Sequence, residues 1–88
     1  MSTLYKLTHV TQDTIYLRFT DFDVYCLNGS EEPVPFKNVV GVLAIEFLHA
    51  LQTPLRYHKD LNQPMEKCHL EVKRVVSRFL PDRTCEPL

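Results

Sequence analysis

The stretch NVVGVLAIEFLHALQTP, Asn38 to Pro54, is apolar on almost every side of a helical wheel. Its broadest apolar stripe consists of Val39, Val40, Leu43, Phe47, Ala50 and Leu51. A stripe with this spacing predicts a helix, over residues 39–52, that lies against a sheet. Proline disrupts the interior of a helix, so Pro54 is expected to end this one near Thr53.

The other side of the same helix is also partly apolar. Its polar residues are Glu46, His49 and Gln52. Val42 and Ile45 interrupt them, and leaving these two in water would forgo about 1.5–3 kcal/mol for each side chain. A helix that is apolar on two sides needs a second layer, which could be the C-terminal helix, a second copy of the chain or a different protein. We therefore predict a partner-binding surface that consists of Val42, Ile45, Glu46 and His49.

Upstream of the helix, polar and apolar side chains alternate. The clearest case is TIYLRFT, residues 14–20, where apolar residues occupy every second position. A period of two with β-branched and aromatic residues predicts a strand. The segments TLYKLTHV, residues 3–10, and FDVYCL, residues 22–27, predict two more strands in the same way.

Turn signals follow the third of these segments. Asn28 and Gly29 supply the left-handed backbone that tight hairpin turns need. The segment EEPVPF, residues 31–36, allows a short fourth strand. Pro33 and Pro35 confine that strand to a sheet edge, because each proline lacks a backbone donor.

The segment over residues 64–80 predicts a second amphipathic helix. Its apolar face carries Met65, Cys68, Val72, Val75, Val76 and Phe79. Pro64 suits the first helical turn, and Pro81 stops the helix. A strand over residues 68–76 remains the alternative, since the helix leaves Leu70 on its polar side.

These elements predict a single α+β domain over residues 1–80. It contains a small antiparallel sheet of three to four strands, covered by the 39–52 helix and followed by the 64–80 helix. Residues 81–88 are expected to form a loose C-terminal tail. A chain of 88 residues has room for one modest core and none for a separate substrate domain.

Composition and charge are those of an ordinary soluble protein. Hydrophobic residues make up 44% and charged residues 24% of the chain, which a disordered segment would not show. The net charge of −1 gives no reason to expect attraction to nucleic acid or to an anionic membrane. Residues 1–52 hold three basic against six acidic residues, and residues 53–88 hold seven against five. This asymmetry could serve recognition, although solvated faces account for it as well.

The three cysteines favour a reducing compartment. Cys26, Cys68 and Cys85 are an odd number without regular spacing, whereas small secreted scaffolds carry even disulfide frameworks. The N-terminal segment has no apolar core of signal-peptide length. The apolar run at 39–51 is shorter than the ~20 residues that cross a bilayer. We predict free thiols, a cytoplasmic location and no membrane contact.

No catalytic, metal or cofactor site is predicted. A zinc site from His49, His58, Cys68 and His69 lacks the paired short spacings of structural zinc ligands. A cysteine and histidine nucleophile pair lacks a recognisable nucleophile turn. Asp21 and Asp23 could act as an acid and a base, but aspartate also caps backbone where strands turn. With two glycines in the chain, a phosphate-binding glycine loop is absent too.

The 64–80 helix offers a second candidate surface. Lys67, Arg74 and Arg78 share a strip opposite its apolar face, where they could contact phosphates or an acidic protein. Glu71 lies inside the strip and can pair with Lys67 or Arg74 at helical spacing. No aromatic residue interleaves with the basic ones as in a single-strand platform.

The sequence predicts a non-catalytic protein-binding module: an adaptor, regulator or inhibitor of a larger protein. Its partner is unidentified, and a homodimer formed through the 39–52 helix is the simplest assembly, since a two-fold axis lets each apolar residue count twice. Glu46 and His49 could then pair across the axis. The alternative is a nucleic-acid-binding regulator that uses the basic strip of the 64–80 helix.

Overall fold

A computed structural model describes residues 3–88 as a five-stranded antiparallel sheet with its helices on one face. The elements are β1 (Thr3–Thr8), β2 (Ile15–Phe19), β3 (Val24–Leu27), β4 (Pro33–Val34), α1 (Lys37–Val40), a 3₁₀ turn (Gly41–Leu43), α2 (Ala44–Asp60), α3 (Met65–Phe79) and β5 (Thr84–Pro87). The strand order is β4-β3-β2-β1-β5. The predicted α+β fold is confirmed, with five strands in place of three to four.

The core lies between the inner face of the sheet and one side of α2 and α3. The alternation in the sequence places the core residues of each strand on this face, because side chains of a strand point to opposite sides in turn. Leu27 of β3 is buried as well, but it lies on the outer face. The buried cluster consists of Tyr5, Leu7, Leu17, Phe19, Val24, Cys26, Phe47, Leu51, Cys68, Val72, Val76 and Cys85. Phe47 occupies its centre, with ring centroids 5.8 Å from Phe36 and 5.2 Å from Phe79.

The predicted 39–52 helix is correct in part. Gly41 has φ of 61°, a left-handed conformation that separates α1 from the 3₁₀ turn and α2. The prediction that Pro54 ends the helix is wrong, because α2 continues to Asp60. Pro54 is buried, and its missing N–H breaks one helical hydrogen bond without stopping the helix. Packing of this segment on the core therefore overrides the local signal.

The prediction of a loose tail over residues 81–88 is also wrong. β5 forms the sheet edge next to β1, with Cys85 opposite Leu7. The Arg83 guanidinium fastens this strand, because Nη1 donates to the carbonyl oxygens of Leu7 at 3.1 Å and Asp13 at 2.9 Å. Burial lowers the pKa of Arg83.

The turn after β3 differs from the predicted one. Glu31, with φ of 59°, is the left-handed residue, and Gly29 has no positive φ. The Asn28 side chain explains the change, because its Oδ1 accepts from the amides of Ser30 at 2.9 Å and Glu32 at 3.0 Å. β4 then pairs at the sheet edge, as Pro33 predicts.

The helix interpretation of the 64–80 segment is confirmed, and the strand alternative over residues 68–76 is wrong. Cys68, Val72 and Val76 of α3 are buried, as the predicted apolar face requires. Leu70 lies on the opposite side and is exposed. α3 packs against α2 and β5, so it takes part in the core that α2 covers.

All three thiols are free and buried, which predicts slow reaction in the native state. Burial raises the pKa of Cys26 and of Cys85 to about 11, and it also raises the pKa of Cys68. Thiolates are the reactive form. We expect a thiol reagent at neutral pH to label all three cysteines in denaturant and to react far more slowly without it. Rapid labelling of any thiol in the native protein, measured by mass spectrometry, would contradict its burial.

Candidate functional site

The predicted partner-binding residues lie together on one exposed side of the helical segment. Val42 is 99% exposed and Ile45 is 72% exposed, while Glu46 and His49 are exposed beside them. We call these four residues the helix-start patch. Within residues 3–88 nothing covers Val42 or Ile45, so the interpretation in which the C-terminal helix covers them is wrong.

Local geometry explains why the patch is exposed. The left-handed Gly41 ends α1, and the chain turns through Val42 before α2 begins at Ala44. From there the helix directs Phe47 and Leu51 into the core, which leaves Ile45 on the solvent side. The patch therefore stands on an element fixed by buried neighbours.

The helical segment from Lys37 to Asp60 is long and apolar enough, by length and composition, to cross a membrane. This is weak evidence, because the core helix of a soluble protein passes the same test. Here Phe47, Leu51 and Pro54 are buried within the domain. Only 17% of the most apolar window is buried within the domain, so packing in the core explains a small part of the apolar character of this segment.

The basic strip of α3 is partly neutralised. Arg74 Nη1 donates to Glu71 Oε1 at 2.9 Å in an exposed ion pair. Arg78 lies over the ring of Phe79, 4.7 Å from its centroid. Lys67 and Arg78 border a groove of about 450 Å³ between α2 and α3, which Glu71 also lines. The structure therefore shows a mixed surface in place of a continuous cationic one.

The remaining candidate groups have local structural roles. Asp23 Oδ1 accepts from the amide of Val24 at 2.8 Å and from Gln52 Nε2 at 3.3 Å, so this carboxylate caps a turn. Lys59 Nζ donates to the carbonyl oxygen of Asp21. Among residues 3–88, no three His, Cys, Asp or Glu side chains are grouped so as to hold a metal ion.

Cys68 is buried in the core, and the neighbouring His69 is half-buried against Tyr5. Tyr5 Oη lies 2.6 Å from His69 Nδ1, and the two rings meet edge to face. Desolvation is the main cause that raises the pKa of Tyr5 and of Cys68. A neutral phenol and a neutral thiol stabilise packing, but neither is an activated nucleophile.

Sequence reasoning missed one surface, the outer face of the sheet. By alternation this face carries Leu4, Lys6, Thr8, Tyr16, Arg18, Tyr25, Leu27, Pro33, Thr84 and Glu86. All of them except Leu27 are exposed or half-buried, because the helices pack on the other face. The period of two in TIYLRFT already placed Tyr16 and Arg18 on the side opposite the core, but their neighbours depend on strand order.

No protein-family model, curated protein or solved structure matches this chain. The chain's own surfaces are therefore what indicates its function. Two of them combine exposure with side chains suited to binding, namely the helix-start patch and the outer face of the sheet.

Proposed function

We propose that this protein is a non-catalytic protein-binding module that self-associates through the helix-start patch. The observation that supports the proposal is the nearly complete exposure of Val42, next to the exposed Ile45. Apolar side chains rimmed by polar ones are typical of interaction surfaces. An adaptor, regulator or inhibitor would use such a surface to occupy part of a larger protein.

The position of the patch suits a symmetric pair. On α2, Ile45 and His49 are four residues apart and so form a line along one helix side, with Val42 in the 3₁₀ turn just before it. Two such lines can pack about a two-fold axis, where each residue is buried twice and the contact closes on itself. Covering Ile45 alone stabilises the pair by up to about 1.5–3 kcal/mol per copy.

Ile45→Asp is expected to weaken association at least about tenfold, because it places a charge in the apolar contact, and about 1.4 kcal/mol is sufficient for that change. The fold should persist, since residue 45 is 72% exposed. An acidic residue in the first turn of a helix also interacts favourably with the helix dipole. Sedimentation velocity over a concentration series, with circular dichroism, measures both effects. Leu70→Asp, at an exposed leucine on α3, is the matched control and should leave association unchanged.

Three outcomes would overturn self-association through the patch. One is a wild type that sediments as a monomer at every concentration tested. Another is equal loss of association in Ile45→Asp and Leu70→Asp. The third is binding of the wild type to phospholipid vesicles with loss of binding in Ile45→Asp, which would assign the patch to a membrane surface.

A nucleic-acid regulator acting through α3 is less well supported. Glu71 is bound to Arg74, so the local positive charge falls short of what the sequence pattern suggested. Surface pairs of this kind contribute about 0.2–1 kcal/mol to stability, but they still compete with a phosphate for the same guanidinium. The charge on α3 therefore supports nucleic-acid binding less well than the exposed Val42 and Ile45 support protein binding.

A further inference from the structure

The outer face of the sheet combines aromatic rings and cations on adjacent strands. Tyr16 of β2 lies directly opposite Lys6 of β1. Two residues along β2 and on the same face, Arg18 lies directly opposite Tyr25 of β3. The two tyrosines are therefore diagonal neighbours, roughly 7–8 Å apart, which is within reach of one extended ligand.

Within residues 3–88, these four side chains form no ion pair, cation–π contact or ring contact with one another. Tyr25 is 46% exposed, Arg18 is exposed, and Tyr16 and Lys6 are half-buried. In the part of the chain that the structure describes, neither cation forms an ion pair or a cation–π contact. Neither tyrosine ring contacts another ring there. The face thus presents the exposed ring of Tyr25, the half-buried ring of Tyr16 and the exposed Arg18. Lys6 lies directly opposite Glu86 of β5 but forms no ion pair with it in the described residues.

We propose that this face binds single-stranded nucleic acid. Unstacked bases pack on exposed aromatic rings, and the backbone phosphates require nearby cations, so the ligand matches both features. Tyr16 and Tyr25 provide the stacking surfaces. Lys6 and Arg18 contact phosphates on either side of the bases.

Charge argues against a second copy as the occupant. Each outer face carries two cations, Lys6 and Arg18, and one carboxylate, Glu86, so two faces packed together would bring two surfaces of net positive charge into contact. Like charges brought together in an interface disfavour that assembly. A polyanion carries the charge opposite to that of Lys6 and Arg18, and only Glu86 at the β5 edge repels it.

This inference goes beyond the proposed self-association and does not depend on it. The helix-start patch belongs to the helical segment, whose α2 packs on the inner face of the sheet, so the two surfaces lie on different layers. A variant on one surface leaves the side chains of the other unchanged. The experiments can therefore contradict one proposal without contradicting the other.

The test uses a fluorescent single-stranded oligouridylate of about ten nucleotides, within the usual site size of roughly 4–16. Anisotropy titrations with the full chain at several salt concentrations should give saturable binding. Two phosphate contacts predict a slope of log K against log salt of about −1.4. Arg18→Ala should reduce the slope to about −0.7, since one contact is lost.

Variants at residue 25 separate stacking from charge. Tyr25→Leu keeps an apolar side chain in the strand but removes the ring, and it should weaken binding about 5- to 150-fold with an unchanged salt slope. Tyr25→Phe keeps the ring and should bind like the wild type. Arg74→Glu, on α3, is the charge control and should not alter binding.

Two further probes distinguish recognition of unstacked bases from attraction to charge alone. Inorganic polyphosphate carries the charge without bases, so its binding should not respond to Tyr25→Leu. A duplex of the same length has its bases already stacked and should compete weakly. The proposal is overturned by an absence of oligouridylate binding at low salt, by equal loss in Arg74→Glu, or by unchanged binding of folded Tyr25→Leu.

Discussion

Replacing Phe47 by alanine is expected to lower the free energy of unfolding by about 3–5 kcal/mol. Its side chain is fully buried and packs between Phe36 and Phe79, at the point where α2 meets α1 and α3. Truncation removes the apolar contacts and leaves a cavity that rings fixed from two sides cannot fill. Domains of this kind have about 5–15 kcal/mol of stability in total, so the loss is a large part of it.

Urea unfolding followed by circular dichroism measures this change. The control is Ile45→Ala, two residues earlier on the same helix, where the side chain is 72% exposed. We expect that variant to change the free energy of unfolding by no more than about 0.5 kcal/mol at concentrations where the protein is monomeric. Similar losses in both variants would mean that Ile45 is covered by its own chain and that the helix-start patch is part of the core.

The inner side of the fold could be predicted because burial leaves a periodic signal in the sequence. The period of two in β2 and the 3.6-residue period of α3 each report one buried face. That signal assigns Cys68, Val72 and Val76 to the core, and the structure confirms them. Because core positions require apolar side chains, the sequence identifies these residues as buried even when the residues they contact are unknown.

The predictions that failed concern elements that are held in place by residues distant in the sequence. β5 has four residues and no clear alternation, and it is held by β1 from the other end of the sequence. Arg83 contacts Leu7 and Asp13, which a local pattern cannot reveal. In the same way, Pro54 is a reliable local stop signal that tertiary packing overrides.

The candidate surfaces also contain some residues that the sequence alone identifies and others that only the structure brings together. A helical wheel is enough to single out Val42 and Ile45, but only the three-dimensional arrangement shows that α3 leaves them exposed. Tyr16 and Arg18 share a strand and can be paired from alternation alone. Tyr25 joins them only through the register of β2 with β3, so the aromatic and basic surface is not visible in the sequence.

Raising the pH from 8 to 11 is expected to lower the free energy of unfolding by about 5 kcal/mol. Burial raises the pKa of Cys26 and of Cys85 from 9.0 to about 11. Below the ordinary thiol pKa both the folded and the unfolded chain hold these protons, so the two thiols give no pH dependence there. Between 9 and 11 the unfolded chain ionises while the folded chain does not, and this favours unfolding by about 1.4 kcal/mol per pH unit for each thiol.

Other buried groups act in the same direction. Desolvation raises the pKa of Cys68 and of Tyr5, so they also resist ionisation in the folded state. The total loss is therefore comparable to the whole stability of a small domain. We expect cooperative unfolding in alkaline buffer. Below pH 8 these groups should make no pH-dependent contribution to the free energy of unfolding.

Urea titrations in reducing buffer at a series of pH values measure this dependence, and Cys26→Ala isolates one thiol. The side chain of Cys26 is buried, so the variant is less stable than the wild type at neutral pH. It lacks the ionisable thiol, however, and the difference in the free energy of unfolding between the two proteins should narrow by about 2 kcal/mol between pH 8 and pH 11. A gap that stays constant would show that Cys26 ionises as readily in the folded protein as in the unfolded chain. In that case the alkaline loss would have to come from other groups, and the apolar surroundings of this thiol would not control its protonation.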